Sequence, residues 1–237
     1  MVRWMAGVDG CHAGWVVVLL GRKSGGISRY EVRVCSRFEE VLTLEPRPSV
    51  IAVDIPIGLL DGPRAGARVC DREARRLLGR RASSVFTPPT RSLLGATNYR
   101  QVRSSGMSIQ AFGILGKIRE VDRVTTPEFR DLVCEAHPEL AFMALAGHPM
   151  RHNKKTPRGR EERLRALERS ARARAQGIRR AVENALNGVT RQQVAPDDVL
   201  DAFVLTQTAL KIADGQATRL PPDPPRDQKG LWMEIWY

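Results

Sequence analysis

Three extended segments open the chain. Residues 3–9 and 14–21 are continuous apolar runs, the pattern of strands covered on both faces. Residues 28–35 alternate Tyr30, Val32 and Val34 with Glu31 and Arg33, the pattern of an edge or half-exposed strand. Gly10 and Gly14 punctuate the first two runs, and Gly25-Gly26 separates the second from the third, so an antiparallel meander is predicted. Residues 37–44 put Phe38, Val41 and Leu42 on one helical face, and Pro46 and Pro48 end that helix. A short buried strand follows at 50–54, after which Pro56 and Gly58 force the chain out of the sheet. Strand, helix, buried strand implies a parallel crossover. The first and fourth strands therefore both end in an aspartate, Asp9 and Asp54.

Residues 58–128 are long for a connection and predict a helical insertion. It carries an Arg-rich helix at 70–78 stopped by Gly79, an extended loop around Pro88-Pro89, and an amphipathic helix at 108–124. A fifth strand at 130–136 runs into His137-Pro138-Glu139 and a short helix at 138–146. A long basic helix is predicted at 157–187, with Pro157 in its first turn and Leu164, Leu167, Ala171, Ala175, Ile178 and Val182 as its apolar stripe. The last major helix runs from Pro196 to Asp214 and is closed by Gly215. A Pro-rich tail at 221–225 and a terminal strand at 231–237 complete the chain. This alternation predicts the α/β class, and 237 residues suit one domain with an insertion.

Charge changes the picture. The net charge is +12, and residues 151–180 hold twelve Lys or Arg against three Glu. Residues 64–81 hold seven Arg against Asp71 and Glu73. Two such segments in an otherwise slightly acidic chain suggest a polyanionic partner, nucleic acid first. No apolar run is long enough for a membrane span, and Arg3 with an early Asp9 makes a poor signal peptide. Cys11, Cys35, Cys70 and Cys134 include no C-x-x-C, so neither a zinc site nor a disulfide framework is expected, and a cytoplasmic setting is. Cys11-His12 lacks a third partner for a nucleophile.

Asp198 and Asp201 are three apart on the last helix and share a face that continues through Ala202, Leu205, Ala209 and Ile212. Acids at a buried edge need a partner or a cation. Asp197 and Asp198 also suit the helix N-terminus, but Asp201 lies past the first turn, where capping does not explain it. Asp9, Asp54 and the helical pair offer hard oxygen donors without a His or Cys cluster, which favours magnesium or manganese over zinc. Two such ions about 4 Å apart activate a water and stabilise the leaving oxygen of a phosphodiester. Glu135, ending a strand beside the fourth, is a further candidate ligand. His137, Lys154, Lys155, Arg72 and Arg76 are candidate substrate contacts. Gly10 and Gly14 leave room for substrate to pass.

The element order, with acids on the first strand, the fourth strand and the last helix, resembles the ribonuclease-H-like fold of Holliday-junction resolvases and transposases. Longer motifs narrow this: Gly7-Val8-Asp9-Gly10-Cys11-His12-Ala13-Gly14-Trp15, Val53-Asp54-Ile55-Pro56-Ile57-Gly58, Cys70-Asp71-Arg72-Glu73-Ala74-Arg75-Arg76-Leu77-Leu78-Gly79, Lys117-Ile118-Arg119-Glu120-Val121-Asp122, Glu135-Ala136-His137-Pro138-Glu139, Lys154-Lys155-Thr156 and Met233-Glu234-Ile235-Trp236-Tyr237. Together they resemble the predicted ribonuclease-H-like nucleases grouped as domain of unknown function 429. The resemblance implies a mixed five-stranded sheet flanked by helices, with a helical insertion after the fourth strand. It implies two Mg2+ or Mn2+ ions held by Asp9, Asp54, Asp198 and Asp201 as catalytic residues, and hydrolysis of DNA or RNA. Two alternatives stand beside it. One is an ATP-binding phosphotransferase of the actin and sugar-kinase type, for which the 9–14 turn is suggestive but 237 residues are short of two such domains. The other is a non-catalytic nucleic-acid-binding protein of the same fold. Oligomeric state stays open.

Overall fold

A computed structural model describes residues 2–23, 26–64, 66–169 and 177–237. The meander forms as β1 (Arg3–Cys11), β2 (Gly14–Lys23) and β3 (Gly26–Cys35), paired antiparallel. β4 (Ile51–Val53) and β5 (Val133–Glu135) add in parallel beyond β1. The sheet order is β3-β2-β1-β4-β5, a mixed sheet of the α/β class with β1 at its centre.

Helices cover both faces, which is why the central strands read as continuous apolar runs. On one face Ala6, Val8, Val17, Leu19 and Val53 pack under α1 (Phe38–Leu42), α3 (Ile109–Gly113) and α4 (Leu115–Val124). On the other, Met5, Val16, Val18, Ala52 and Ala136 pack under α5 (Pro138–Ala146), α6 (Pro157–Arg169), α7 (Ile178–Gly188) and α8 (Pro196–Ala213). α2 (Val69–Leu78) belongs to a smaller apolar cluster with Leu140, Leu220 and Ile235.

α8 is buried on all sides from Val199 to Leu210, more than the single stripe its sequence suggests. It lies between the sheet and the layer of α5, α6 and α7, so every face is covered. Its approach to β1 is backbone against backbone. A Cβ on Gly7 would lie 2.1 Å from the Ala202 carbonyl oxygen and 2.4 Å from the Thr206 nitrogen.

Three expectations change in the structure. The helix expected at 108–124 is two, α3 and α4, separated at Ile114, whose φ of −105° and ψ of 5° depart from helical values. The helix expected at 157–187 is represented by α6 and α7, and residues 170–176 between them lie outside the described residues. Arg179 bonds Glu168 at 2.8 Å and Glu161 at 3.2 Å. One straight helix would put eighteen residues at about 27 Å, so α7 lies beside α6 and does not extend it. The C-terminal strand is shorter than expected: β7 (Ile235–Trp236) pairs with β6 (Arg219–Leu220), a strand the Pro-rich sequence conceals. Among the described residues no helix is long and apolar enough to cross a membrane.

Candidate functional site

The β1–β4 register aligns Val8 with Val53, and the Asp54 N–H donates to the Val8 carbonyl at 3.0 Å. The next residues, Asp9 and Asp54, therefore sit side by side, although β1 runs on to Cys11, so Asp9 lies within its strand and only Asp54 follows a strand end. Alternation along β1 puts Asp9 on the face of Met5 and Gly7, the face that α8 covers. The close approach of Ala202 to Gly7 brings the preceding residue, Asp201, to the same place. Asp9 and Asp201 are 7% and 2% exposed.

The group at the centre is Lys154. Its Nζ lies 2.6 Å from Asp201 Oδ2 and 3.6 Å from Asp197 Oδ2. Burial pushes Asp9 well above the usual carboxylate range, and Asp54 and Asp201 push it further while Lys154 draws it down. Asp54 is raised by burial against the pull of His137 and Lys154. Burial takes Asp201 to about 6 despite its bond to Lys154. Burial alone would lower Lys154, but Asp201, Asp9 and Asp54 raise it above its ordinary value. Lys154 thus pairs directly with the two α8 carboxylates, Asp197 and Asp201, while Asp9 and Asp54 act on it through charge alone.

Asp198 has a different use. Its Oδ2 accepts the Ala195 N–H at 3.1 Å, the N-terminal bond of α8, and burial pushes it to about 6. The helical pair that meets the cation is Asp197 with Asp201, four apart, not Asp198 with Asp201. Proline at the first helical position places Asp198 where it turns back to the cap, a signal present in the sequence.

Glu135 does not join the cluster. It pairs in register with Val53, one residue before Asp54, so its side chain leaves the opposite face of the sheet. There it accepts 2.7 Å and 2.8 Å bonds from Arg68 Nη1 and the Ile57 N–H. Arg68, 3% exposed, also holds Asp71 at 2.8 Å and the Gly58 carbonyl at 2.7 Å. Burial raises Glu135 to about 7, against the pull of Arg68. Sequence reading missed Arg68, although Arg68 and Asp71 are spaced as a helix capping pair.

His137 stands near Asp54. Its Nε2 lies 3.2 Å from the Ser84 carbonyl oxygen, and its buried Nδ1 has no hydrogen-bond partner among the described residues. Buried Glu139 bonds Arg81 at 3.0 Å and fully buried Arg163, leaving Oε2 without a partner. Lys155 and Arg76 are exposed, and Arg72 is exposed with its guanidinium on the Ala67 carbonyl at 2.7 Å. Gly10 and Gly14 open no passage. Lys117 fills the space at Gly10 and donates to the Gly14 carbonyl, and the Cys35 carbonyl fills the space at Gly14.

Among the described residues no group of three or more His, Cys, Asp or Glu side chains is arranged to hold a metal ion. The position beside Asp197 and Asp201 is taken by an ammonium. The donors around it are nevertheless buried carboxylates, the set that suits a hard divalent cation. No curated protein and no solved structure matches the chain. A family model does match, over residues 7–226, which include every residue of this cluster: the chain belongs to the family described as protein of unknown function (DUF429).

Proposed function

We propose that the chain is a divalent-metal-dependent nuclease that hydrolyses phosphodiester bonds of nucleic acid at Asp9, Asp54 and Asp201. The observation that carries this reading is the grouping of those acids, from three separate elements, near Lys154, which bonds Asp201 and which Asp9 and Asp54 influence through charge alone. Asp9 is pushed upward by the charges of Asp54 and Asp201, a repulsion that a bound divalent cation would relieve. The meander, the parallel β4 and the acid-bearing α8 support a ribonuclease-H-like assignment.

Asp9, Asp54 and Asp201 would hold the metal. The bound Mg2+ or Mn2+ supplies an activated water and charge neutralisation at the phosphate. The chain does the rest. Its acids release their protons on loading. His137, whose Nε2 lies against the Ser84 carbonyl, stands near Asp54 and favours its ionised form. Exposed Arg72, Arg76 and Lys155 are cations available to backbone phosphates. Four buried, unpaired cysteines support a reducing, cytoplasmic setting.

The test is cleavage of single-stranded, duplex, hybrid and branched DNA and RNA with Mg2+ or Mn2+. Expected is turnover that a chelator stops and that Asp9→Asn lowers by about 100-fold or more. Cleavage of none of these substrates, or full activity in Asp9→Asn, overturns the reading.

A further inference from the structure

Lys154 is held in the cleft by a segment with no slack. Between α5 and α6, the Glu162 carboxylate accepts the Arg151 and His152 N–H groups, each at 2.9 Å. Arg163 donates to the His152 carbonyl at 3.2 Å, and Asn153 Oδ1 accepts the Lys155 N–H at 3.0 Å. Thr156 Oγ1 donates to the Asn153 carbonyl at 2.8 Å. That carbonyl packs on Gly159 so closely that a Cβ there would sit 1.9 Å from it. Lys155, next in sequence, points to solvent, whereas Lys154 has its side chain two-thirds covered and its Nζ on Asp201 and Asp197. A lysine serving only as surface charge has no need of such a mount.

The charges can be followed group by group. Asp9, Asp54, Asp197 and Asp201 could neutralise two divalent ions, which in a carboxylate site share bridging oxygens. Here Asp201 Oδ2 is already bonded to the ammonium at 2.6 Å, and a divalent ion on the same oxygen would be repelled by it. Asp9 and Asp54, on the strand side, have no direct bond to Lys154; Asp9 Oδ1 accepts the Gly10 N–H at 2.7 Å, which leaves Oδ2 available.

We propose that Lys154 is a built-in monovalent cation that occupies one of the two cation positions in the acid cleft. The protein therefore takes up a single divalent ion, on the Asp9–Asp54 side. This rests on the metal-site reading above and narrows it from two ions to one. Lys154 then lies beside the phosphate as a fixed positive charge, a contact that no second metal supplies.

The experiment is a Mn2+ titration without nucleic acid, by calorimetry and by the electron paramagnetic resonance signal of unbound Mn2+. It uses the full chain as wild type, Lys154→Met, Lys154→Gln and Lys154→Arg. Expected is one ion in the wild type and in Lys154→Arg, and two in Lys154→Met and Lys154→Gln. Circular dichroism reports whether each variant folds, and the wild-type count decides alone where the neutral variants do not. Two ions in the wild type overturn the role of Lys154 and leave the metal site standing. One ion in a folded Lys154→Met also overturns it. No ion in any of the four proteins removes the metal site and this inference together.

Discussion

Asp201 sets how the protein answers to pH. It is 2% exposed, and burial lifts it from 3.8 to about 6 even beside Lys154. A carboxyl that holds its proton more tightly in the folded state stabilises the fold fully below about pH 4, and that contribution is lost as pH rises through about 6. Asp9, Asp54 and Asp198 are raised too, as is Glu135, to about 7, so they act in the same direction. The surface acids Glu39, Glu40, Glu161 and Glu168 are lowered by their partners and act oppositely, at more acid pH. The metal-free protein should therefore melt at a lower temperature at pH 7.5 than at pH 5.5. Between these two pH values a carboxyl moved from 3.8 to about 6 gives up about 1 kcal/mol, roughly 2–4 °C for a chain of this size. Saturating Mn2+ should remove the share that comes from the cleft acids, because the ion replaces their protons, and leave the share from Glu135 on the opposite face. Thermal melts across that window with chelator and with Mn2+ check both statements, and a chelated protein that melts higher at pH 7.5 contradicts the first. At this scale Asp9 and Asp54 are legible because an acid that closes an apolar run is a local pattern, even though β1 continues two residues past Asp9. Asp201 is legible because capping does not reach it. The aim of Lys154 and the company of Glu135 are not, since both depend on partners 47 and 67 residues away.

Between elements, the contact that fixes the site is β1 against α8. Gly7→Ala would drive a methyl into the backbone at Ala202 and Thr206, which no rotamer change relieves. The expected cost is about 3 kcal/mol, the upper part of the range for overpacking. Because Asp9 and Asp201 flank that contact, the variant should also bind Mn2+ at least tenfold more weakly. Urea unfolding and a Mn2+ titration measure the two effects, and normal metal affinity in a destabilised Gly7→Ala would separate site from contact. On the opposite face Arg68→Met should cost about 3–5 kcal/mol, because it leaves Glu135 and Asp71 buried without their cation. Urea unfolding checks this as well, and a Glu135→Gln exchange in the same background should recover part of the loss. The meander, the crossover and the acid-bearing last helix could be read from periodicity because each is a local pattern of polar and apolar residues. The faces could not. Glu135 and Asp54 both stand at strand ends, but a register of Val53 with Glu135 sends them to opposite sides of the sheet. The turn-back of α7 beside α6 is equally hidden, since a helical stripe carried from Leu164 to Val182 reads the same whether the axis is straight or reversed.

Over the whole molecule the charge of +12 does not translate directly into a nucleic-acid surface. Arg68 and Arg163 are buried in ion pairs, Arg91 holds Asp122 at 3.0 Å and Asp227 at 2.6 Å, and Arg179 lies between Glu161 and Glu168. Much of the positive charge is thus spent on joining elements, and only the exposed cations can meet a phosphate. Arg72 and Arg76 on α2 and Lys155 beside the cleft are among these. If they contact the backbone, binding should weaken with salt, and each lost contact should flatten the log–log slope by about 0.9 on duplex or about 0.7 on a single strand. The triple variant Arg72→Ala/Arg76→Ala/Lys155→Ala should therefore bind more weakly at low salt, with a slope smaller by about 2–3. Asp9→Asn should keep the wild-type slope while losing cleavage, because it changes the acid cleft and leaves those surface cations in place. Fluorescence anisotropy in chelator, from low to physiological salt, gives both slopes without turnover. An unchanged slope in the triple variant would move the backbone contacts to other exposed cations, whereas a flat wild-type slope would argue against any polyanionic partner.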